Sequence, residues 1–190
     1  MEEGVVGKMI LVITTNKEKL HYFEFVRPVE DILKLKSLNF CRVHFKNLKK
    51  YDLKNFDKVI ICGTSLRDND FLLYIKNFEW IKDFDKPVLG ICAGMHMIGK
   101  VFNGSLKKKT EIGLRKLDFK ENFLGLFGEK EVYELHNYYI NLDSLKDFNV
   151  FSFSFDKVPQ AIKHKKRNIY GVLFHPEVRN RELIENFALS

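Results

Sequence analysis

Cysteine is scarce in this chain of 190 residues, with Cys41, Cys62 and Cys92 giving an odd number and no close spacing. That excludes a disulfide framework and points to a reducing, cytoplasmic setting. No apolar run approaches the roughly 18 residues of a membrane span. The stretch from Val5 to Thr15, broken by Gly7 and Lys8, reads as a first strand rather than a targeting signal. Four prolines and 11 glycines leave no linker, repeat or low-complexity tract. Gln160 is the only glutamine, and scarce Gln beside abundant Lys and Glu resembles thermophile composition, although AT-rich coding gives a similar bias.

Core material is plentiful. Hydrophobic residues make up 45% of the chain and include 18 Phe, which excludes disorder. At a soft prior of about 150 residues per domain, residues 1–190 are expected to form one domain. The net charge of +7 raises the question of nucleic acid. The basic runs Lys107-Lys-Lys109 and Lys163-His-Lys-Lys-Arg167 lack the aromatic signature of an RNA-binding module and any zinc-finger spacing. They read as solvated loop charge, with docking to an acidic partner as the second reading, and neither nucleic acid nor membrane is expected as a partner.

Short apolar segments at Met9 to Thr14, Arg42 to Phe45, Lys58 to Cys62 and Pro87 to Ile91 alternate with helical connections, the order of a parallel sheet. Pro28 suits the first turn of a helix ending near Leu38. Phe71, Leu72, Ile75 and Phe78 form one stripe at helical spacing. Strand-like segments then follow at 111–119, 132–135, 150–155, 161–165 and 169–174, separated by turns and partly antiparallel. Leu183, Ile184, Phe187 and Ala188 mark a closing helix over 181–188. The fold class is α/β, doubly wound, with a mainly parallel sheet, helices on both faces and a partly antiparallel C-terminal region. Such folds place their sites at the carboxyl ends of strands.

Cys92 falls at such an end. In Gly90-Ile-Cys92-Ala-Gly94, glycines flank a cysteine between an apolar strand and a helix-like pattern, as in a nucleophile elbow. The helix N-terminus beside the sulfur favours a thiolate and offers N–H groups to an oxyanion. A base and an orienting group are available in His175-Pro176-Glu177, where Pro176 keeps His175 out of helix so that His175 and Glu177 point the same way. By the logic of a triad, His175 moves the proton and Glu177 fixes its tautomer. Gly94 to Lys100 mimics most of a phosphate-binding loop, but Val101 stands where Ser or Thr should hold magnesium, and bulky Met and Ile fill the interior.

The elbow together with Tyr170-Gly-Val-Leu-Phe-His175-Pro-Glu177-Val resembles the class I glutamine amidotransferase domain, flavodoxin-like in fold. The resemblance extends to Glu111-Ile-Gly113, to His136, and to Ser154-x-Asp156 with Ala161-Ile-x-His164. Length and the stretch from Ala161 to Val178 are most similar to the standalone glutaminase subunits that serve archaeal GMP synthases. The resemblance implies that Cys92 attacks the glutamine carboxamide and forms a γ-glutamyl thioester. His175 serves as base and acid, and Glu177 orients it. N–H groups of Ala93 and of the loop after Cys62, at Gly63 and Thr64, hold the oxyanion. It also implies an ATP-dependent synthetase partner that receives the ammonia.

Departures from the family pattern fall at substrate-facing positions. Gly63-Thr64-Ser65 replaces Gly-Gly-Pro, and Thr64 suits a peptide flip to positive φ poorly. His96 stands for a substrate-contacting Gln, either reshaping the pocket, competing as a base or packing in the core. Leu173 replaces another Gln, and His136-Asn137-Tyr138 replaces a His-Ser-Asp-type loop, with His136 and Asn137 as substrate-contact candidates. Two alternatives therefore stand beside the glutaminase: a cysteine hydrolase of another γ-glutamyl amide, and a non-catalytic regulatory or binding subunit. His21, His44 and His164 show no ligand spacing with one another or with the cysteines, so no metal and no cofactor is expected.

Overall fold

The computed structural model describes residues 8–141, 143 and 145–190. Strand β1 (Met9–Thr14) is bounded as the alternation of the sequence predicts, while Val5 to Gly7 of the expected first strand lie outside the described residues. It pairs in parallel with β2 (Asn39–His44) on one side and β3 (Lys58–Ile61) on the other. Next come β4 (Val88–Ile91), then β9 (Ile169–Val172), both parallel. β8 (Pro159–His164) and β7 (Phe148–Phe153) extend the sheet antiparallel. The full order is β2-β1-β3-β4-β9-β8-β7, a doubly wound sheet whose β1 to β4 share the flavodoxin-like order.

The sheet separates two apolar cores. Leu11, Ile13, Val59, Ile61 and Val88 face one layer, and Ile10, Val12, Ile60, Leu89 and Ile91 face the other, as expected of strands buried on both faces. Helix α1 (Lys19–His21) runs through a π turn at Tyr22–Val26 into α2 (Arg27–Leu35), with Pro28 in its first turn as predicted. The helix stops three residues short of Leu38. Helix α4 (Arg181–Leu189) buries Leu183, Ile184, Phe187 and Ala188, the four residues its pattern singled out.

Several expectations need correction. The stripe at Phe71 to Phe78 lies in 3-10 turns over Asp70–Lys82, broken at Tyr74, rather than in an α-helix. Leu72, Ile75 and Phe78 nonetheless pack on the same core cluster from the two sides of that break. Cysteine is among the most often buried residue types, and Cys62 is buried, but Cys41, on the edge strand β2, is only half-buried. The expected strands at 111–119 and 132–135 are parts of a much longer antiparallel ribbon, β5 (Ser105–Phe123) with β6 (Leu126–Asn141), separate from the main sheet. Lys107 to Lys109 therefore belong to a strand and not to a loop. Among the described residues, no helix is long and apolar enough to cross a membrane.

Helix α3 (Ala93–Val101) sits at the carboxyl end of β4 and packs unusually tightly on the sheet. It is helical through Gly94 to Lys100, so that segment is not a phosphate loop. A Cβ on Gly94 would come within 2.2 Å of the Ile61 carbonyl oxygen, and one on Gly90 within 2.5 Å of the Gly94 backbone. Both elbow glycines thus serve close approach, since neither has a positive φ. Gly94→Ala is expected to cost about 3 kcal/mol by overpacking, which lowers the melting temperature by about 6–12 °C in a chain of this size. A thermal melt within about 2 °C of the parent would contradict this close packing.

Candidate active site

Cys92 takes φ 48° and ψ −100°, a conformation that L-residues avoid and that costs about 1–3 kcal/mol. It is held there from both sides. The Cys92 N–H donates to the Val172 carbonyl at 2.7 Å, while its own carbonyl accepts from His96 N–H at 3.0 Å as the first bond of α3. This turn puts the thiol over the end of the sheet. Ala93 and Gly94 follow in the first helical turn, where N–H groups lack acceptors within the helix.

His175 follows β9, and its backbone N–H is tied to the Tyr133 carbonyl of β6 at 2.9 Å. Its Nδ1 lies 2.7 Å from Glu177 Oε1, with both side chains fully buried. Burial alone would lower the imidazole pKa. The Glu177 carboxylate and the adjacent Cys92 sulfur outweigh that burial and raise the His175 pKa well above the ordinary range, which makes the ring a strong acceptor for the Cys92 proton. Nε2 makes no hydrogen bond, whereas the Cys92 thiol donates to the Leu135 carbonyl at 3.7 Å. Phe25, from the π turn, covers the imidazole with ring centroids 5.2 Å apart. The sequence pattern offered no sign of that contact.

Gly63 closes the space between the two catalytic candidates. A Cβ there would lie 2.7 Å from His175 Cε1 and 3.4 Å from Cys92 Cβ. Gly63→Ala is therefore expected to displace the imidazole and lower turnover about 100-fold, the loss that follows a misplacement of about 1 Å. Steady-state kinetics beside a melting curve separates this from simple unfolding. An unchanged kcat would contradict the proximity.

Thr64 is pinned rather than strained. It is not among the described residues with positive φ, and its hydroxyl donates to Asp68 Oδ2 at 2.8 Å. The same carboxylate oxygen accepts from Lys17 N–H at 3.0 Å and meets His21 Nδ1 at 2.7 Å. Burial would raise the Asp68 pKa, but these partners together pull it below the usual carboxylate range. Thr15 adds hydroxyl contacts to the Cys62 and Gly63 carbonyls at 3.0 and 3.2 Å. The Gly63–Thr64 loop is thereby fixed by residues following β1, which carry no motif that would mark them in the sequence.

A small pocket opens at Cys92 and is lined by Thr64, Ala93, His96, His136 and Asn137 among others. His96 Nε2 lies 2.9 Å from the Tyr138 carbonyl, and burial pushes its pKa down to about 4. A neutral ring with Nε2 donating to that carbonyl suits a pocket-wall role better than that of a competing base. Asn137 Nδ2 donates to the Leu66 carbonyl at 3.4 Å, and its Oδ1 accepts from Thr110 at 3.0 Å. His136, a substrate-contact candidate, is buried and faces Glu111 and Glu134 at 3.1 and 3.2 Å. Leu173 packs in the core.

Residues 29–189 match the family model for glutamine amidotransferase class-I. The chain belongs to the class I glutamine amidotransferase family. Among curated relatives it is 33% identical to a glutamine-hydrolyzing GMP synthase subunit of Methanobrevibacter smithii, over 57% of this chain and 62% of that one. It is 31% identical to the corresponding subunit of Saccharolobus solfataricus, over 69% of this chain and 72% of that one. The chain thus spans less than two thirds of the Methanobrevibacter relative and somewhat more of the Saccharolobus one. A crystal structure of a Thermoplasma acidophilum protein assigned to the same GMP synthase subunit type superimposes with a TM-score of 0.82 at 26% identity, covering 96% of this chain and 92% of that one. A glutamine amidotransferase from Thermotoga maritima shares the fold, with a TM-score of 0.69 at 19% identity over 93% of this chain and 79% of that one. In this class I amidotransferase chain, then, the elbow and the His-Pro-Glu segment lie far apart in sequence but meet across Gly63, where His175 and Cys92 both come close.

Proposed function

We propose that this chain is the glutaminase subunit of an amidotransferase, hydrolysing glutamine and supplying ammonia to an ATP-dependent synthetase of the GMP synthase kind. The observation that carries the reading is the packing of the buried His175–Glu177 pair against Gly63 and beside Cys92, the residue that opens onto one small pocket. Cys92 Sγ turns from the Leu135 carbonyl toward His175 Nε2 and gives up its proton. The thiolate then attacks the glutamine δ-carbon, forming a C–S bond while the carbonyl electrons move to oxygen. N–H groups of Ala93 and of the Gly63–Thr64 loop receive that oxyanion. The imidazolium protonates the departing nitrogen, the C–N bond breaks, and ammonia leaves a γ-glutamyl thioester. Water, deprotonated by His175, attacks the thioester, and glutamate departs as the proton returns to sulfur.

His96 and Asn137 in the pocket wall favour a second reading, a hydrolase of a different γ-glutamyl amide. Both readings predict an acylated Cys92, and a substrate panel separates them. The decisive experiment mixes the purified chain with an ammonia-dependent synthetase, follows glutamate release, and traps the thioester for mass analysis. Glutamine is expected to be preferred, with the γ-glutamyl mass on the Cys92 peptide. If glutamate release stays absent with the synthetase present, and Cys92 reacts with electrophiles no faster than half-buried Cys41, the catalytic reading fails in favour of a binding subunit.

A further inference from the structure

Running inward from His136 in the pocket wall lies a group of polar side chains that no step of the proposed reaction uses. Glu134 and His136 alternate with Leu135 on β6 and face the same side, and Glu111 of β5 stands directly opposite His136 in the ribbon register. All three are buried, at 7% exposure or less. One donor atom from each falls within 4.8 Å of the other two.

The hydrogen bonding of this group is incomplete. His136 Nε2 is 3.1 Å from Glu111 Oε2 and 3.2 Å from Glu134 Oε2. Neither oxygen is placed to form a hydrogen bond with it, and both oxygens of Glu134 and both ring nitrogens of His136 have no hydrogen-bond partner. Polar atoms at this depth are nearly always satisfied. Two carboxylates without a compensating charge are also costly at this depth.

A divalent ion answers both problems. Four-coordinate zinc holds nitrogen and oxygen donors at about 2.0–2.1 Å, which separates neighbouring donors by about 3.3 Å. The observed 3.1 and 3.2 Å spacings fit that geometry better than they fit a hydrogen bond aimed at one oxygen. Two carboxylates, a neutral imidazole and a divalent ion sum to zero charge. Gln160 supplies the outer support such sites need, since its Nε2 donates to Glu111 Oε2 at 2.8 Å. We propose that Glu111, Glu134 and His136 form a buried site for a divalent transition metal, zinc by preference, with Gln160 orienting Glu111. The expectation of no metal came from His and Cys spacing alone. Here two strands of a hairpin assemble the ligands, 25 positions apart for the Glu111–His136 pair.

Chelator-stripped protein titrated with zinc chloride tests the site by calorimetry. Cys92→Ser serves as background, so that the catalytic thiol cannot act as a ligand. One equivalent is expected to bind. Glu134→Gln and His136→Gln should each weaken binding by about 100-fold, and Gln160→Leu by about 10-fold. X-ray absorption of the loaded protein should show a nitrogen and oxygen shell that includes one imidazole, a readout that does not depend on any of the three variants folding. The proposal is overturned if zinc binding is absent, if it survives Glu134→Gln and His136→Gln unchanged in folded protein, or if sulfur enters the metal shell.

Discussion

Alanine in place of Cys92 is expected to lower glutamine hydrolysis about 10⁶-fold, the scale of removing a covalent nucleophile from an intact site. The site should otherwise persist. Alanine keeps a Cβ at the same positive φ, and the backbone bonds from Cys92 N to Val172 and from His96 N to Cys92 O do not involve the sulfur. Stability should consequently change little while the chemistry disappears. Kinetics with a synthetase present, read beside a thermal melt, checks both halves. A residual rate within about 100-fold of the parent would mean that another group attacks the amide.

Glu177→Gln is expected to cost about 10⁴-fold in kcat with the fold intact. Glutamine can present an N–H₂ donor toward Nδ1, which pushes the ring proton to Nε2 and leaves the nitrogen facing Cys92 unable to accept a proton. The substitution also removes the carboxylate that helps raise the His175 pKa. Burial then dominates, and the imidazole becomes neutral at a lower pH. Because folded His175 keeps its proton above the value of about 6.5 found in unfolded chains, its pairing with Glu177 stabilises the protein fully below that pH. The gain is lost as pH rises through the folded value. NMR titration of the His175 ring should therefore show a downward shift in the variant, together with a smaller loss of stability on the alkaline side. An unchanged titration would separate Glu177 from the imidazole.

Much of this was legible in the chain because it is local. The elbow is written in five residues, the His-Pro-Glu segment in three, and the buried face of α4 in the spacing of Leu183, Ile184, Phe187 and Ala188. Chemistry that depends on distant residues was not legible. Nothing near Thr64 announces that Asp68 will hold it, or that Lys17 and His21 will bind the same carboxylate. Phe25 reaches His175 only through a π turn, for which the residues at 22–26 carry no periodic signal. The stripe at Phe71 to Phe78 had the right faces and the wrong helix, because 3-10 and α spacing overlap over so few residues. The long β5–β6 ribbon was reduced to two fragments, since its exposed, charged ends do not alternate with apolar residues as a half-buried strand does.

The backbone at Cys92 also reveals a conflict between durability and reactivity. Of the twenty side chains, glycine alone would rest easily at φ 48° and ψ −100°, and a chain shaped only for folding would carry it there. The cysteine keeps the elbow under tension, and its neighbours must be stiff enough to hold it. Gly90 and Gly94, by letting α3 press directly on the sheet, supply that stiffness. A residue held in an uncomfortable backbone is thus braced by two that have no side chain at all.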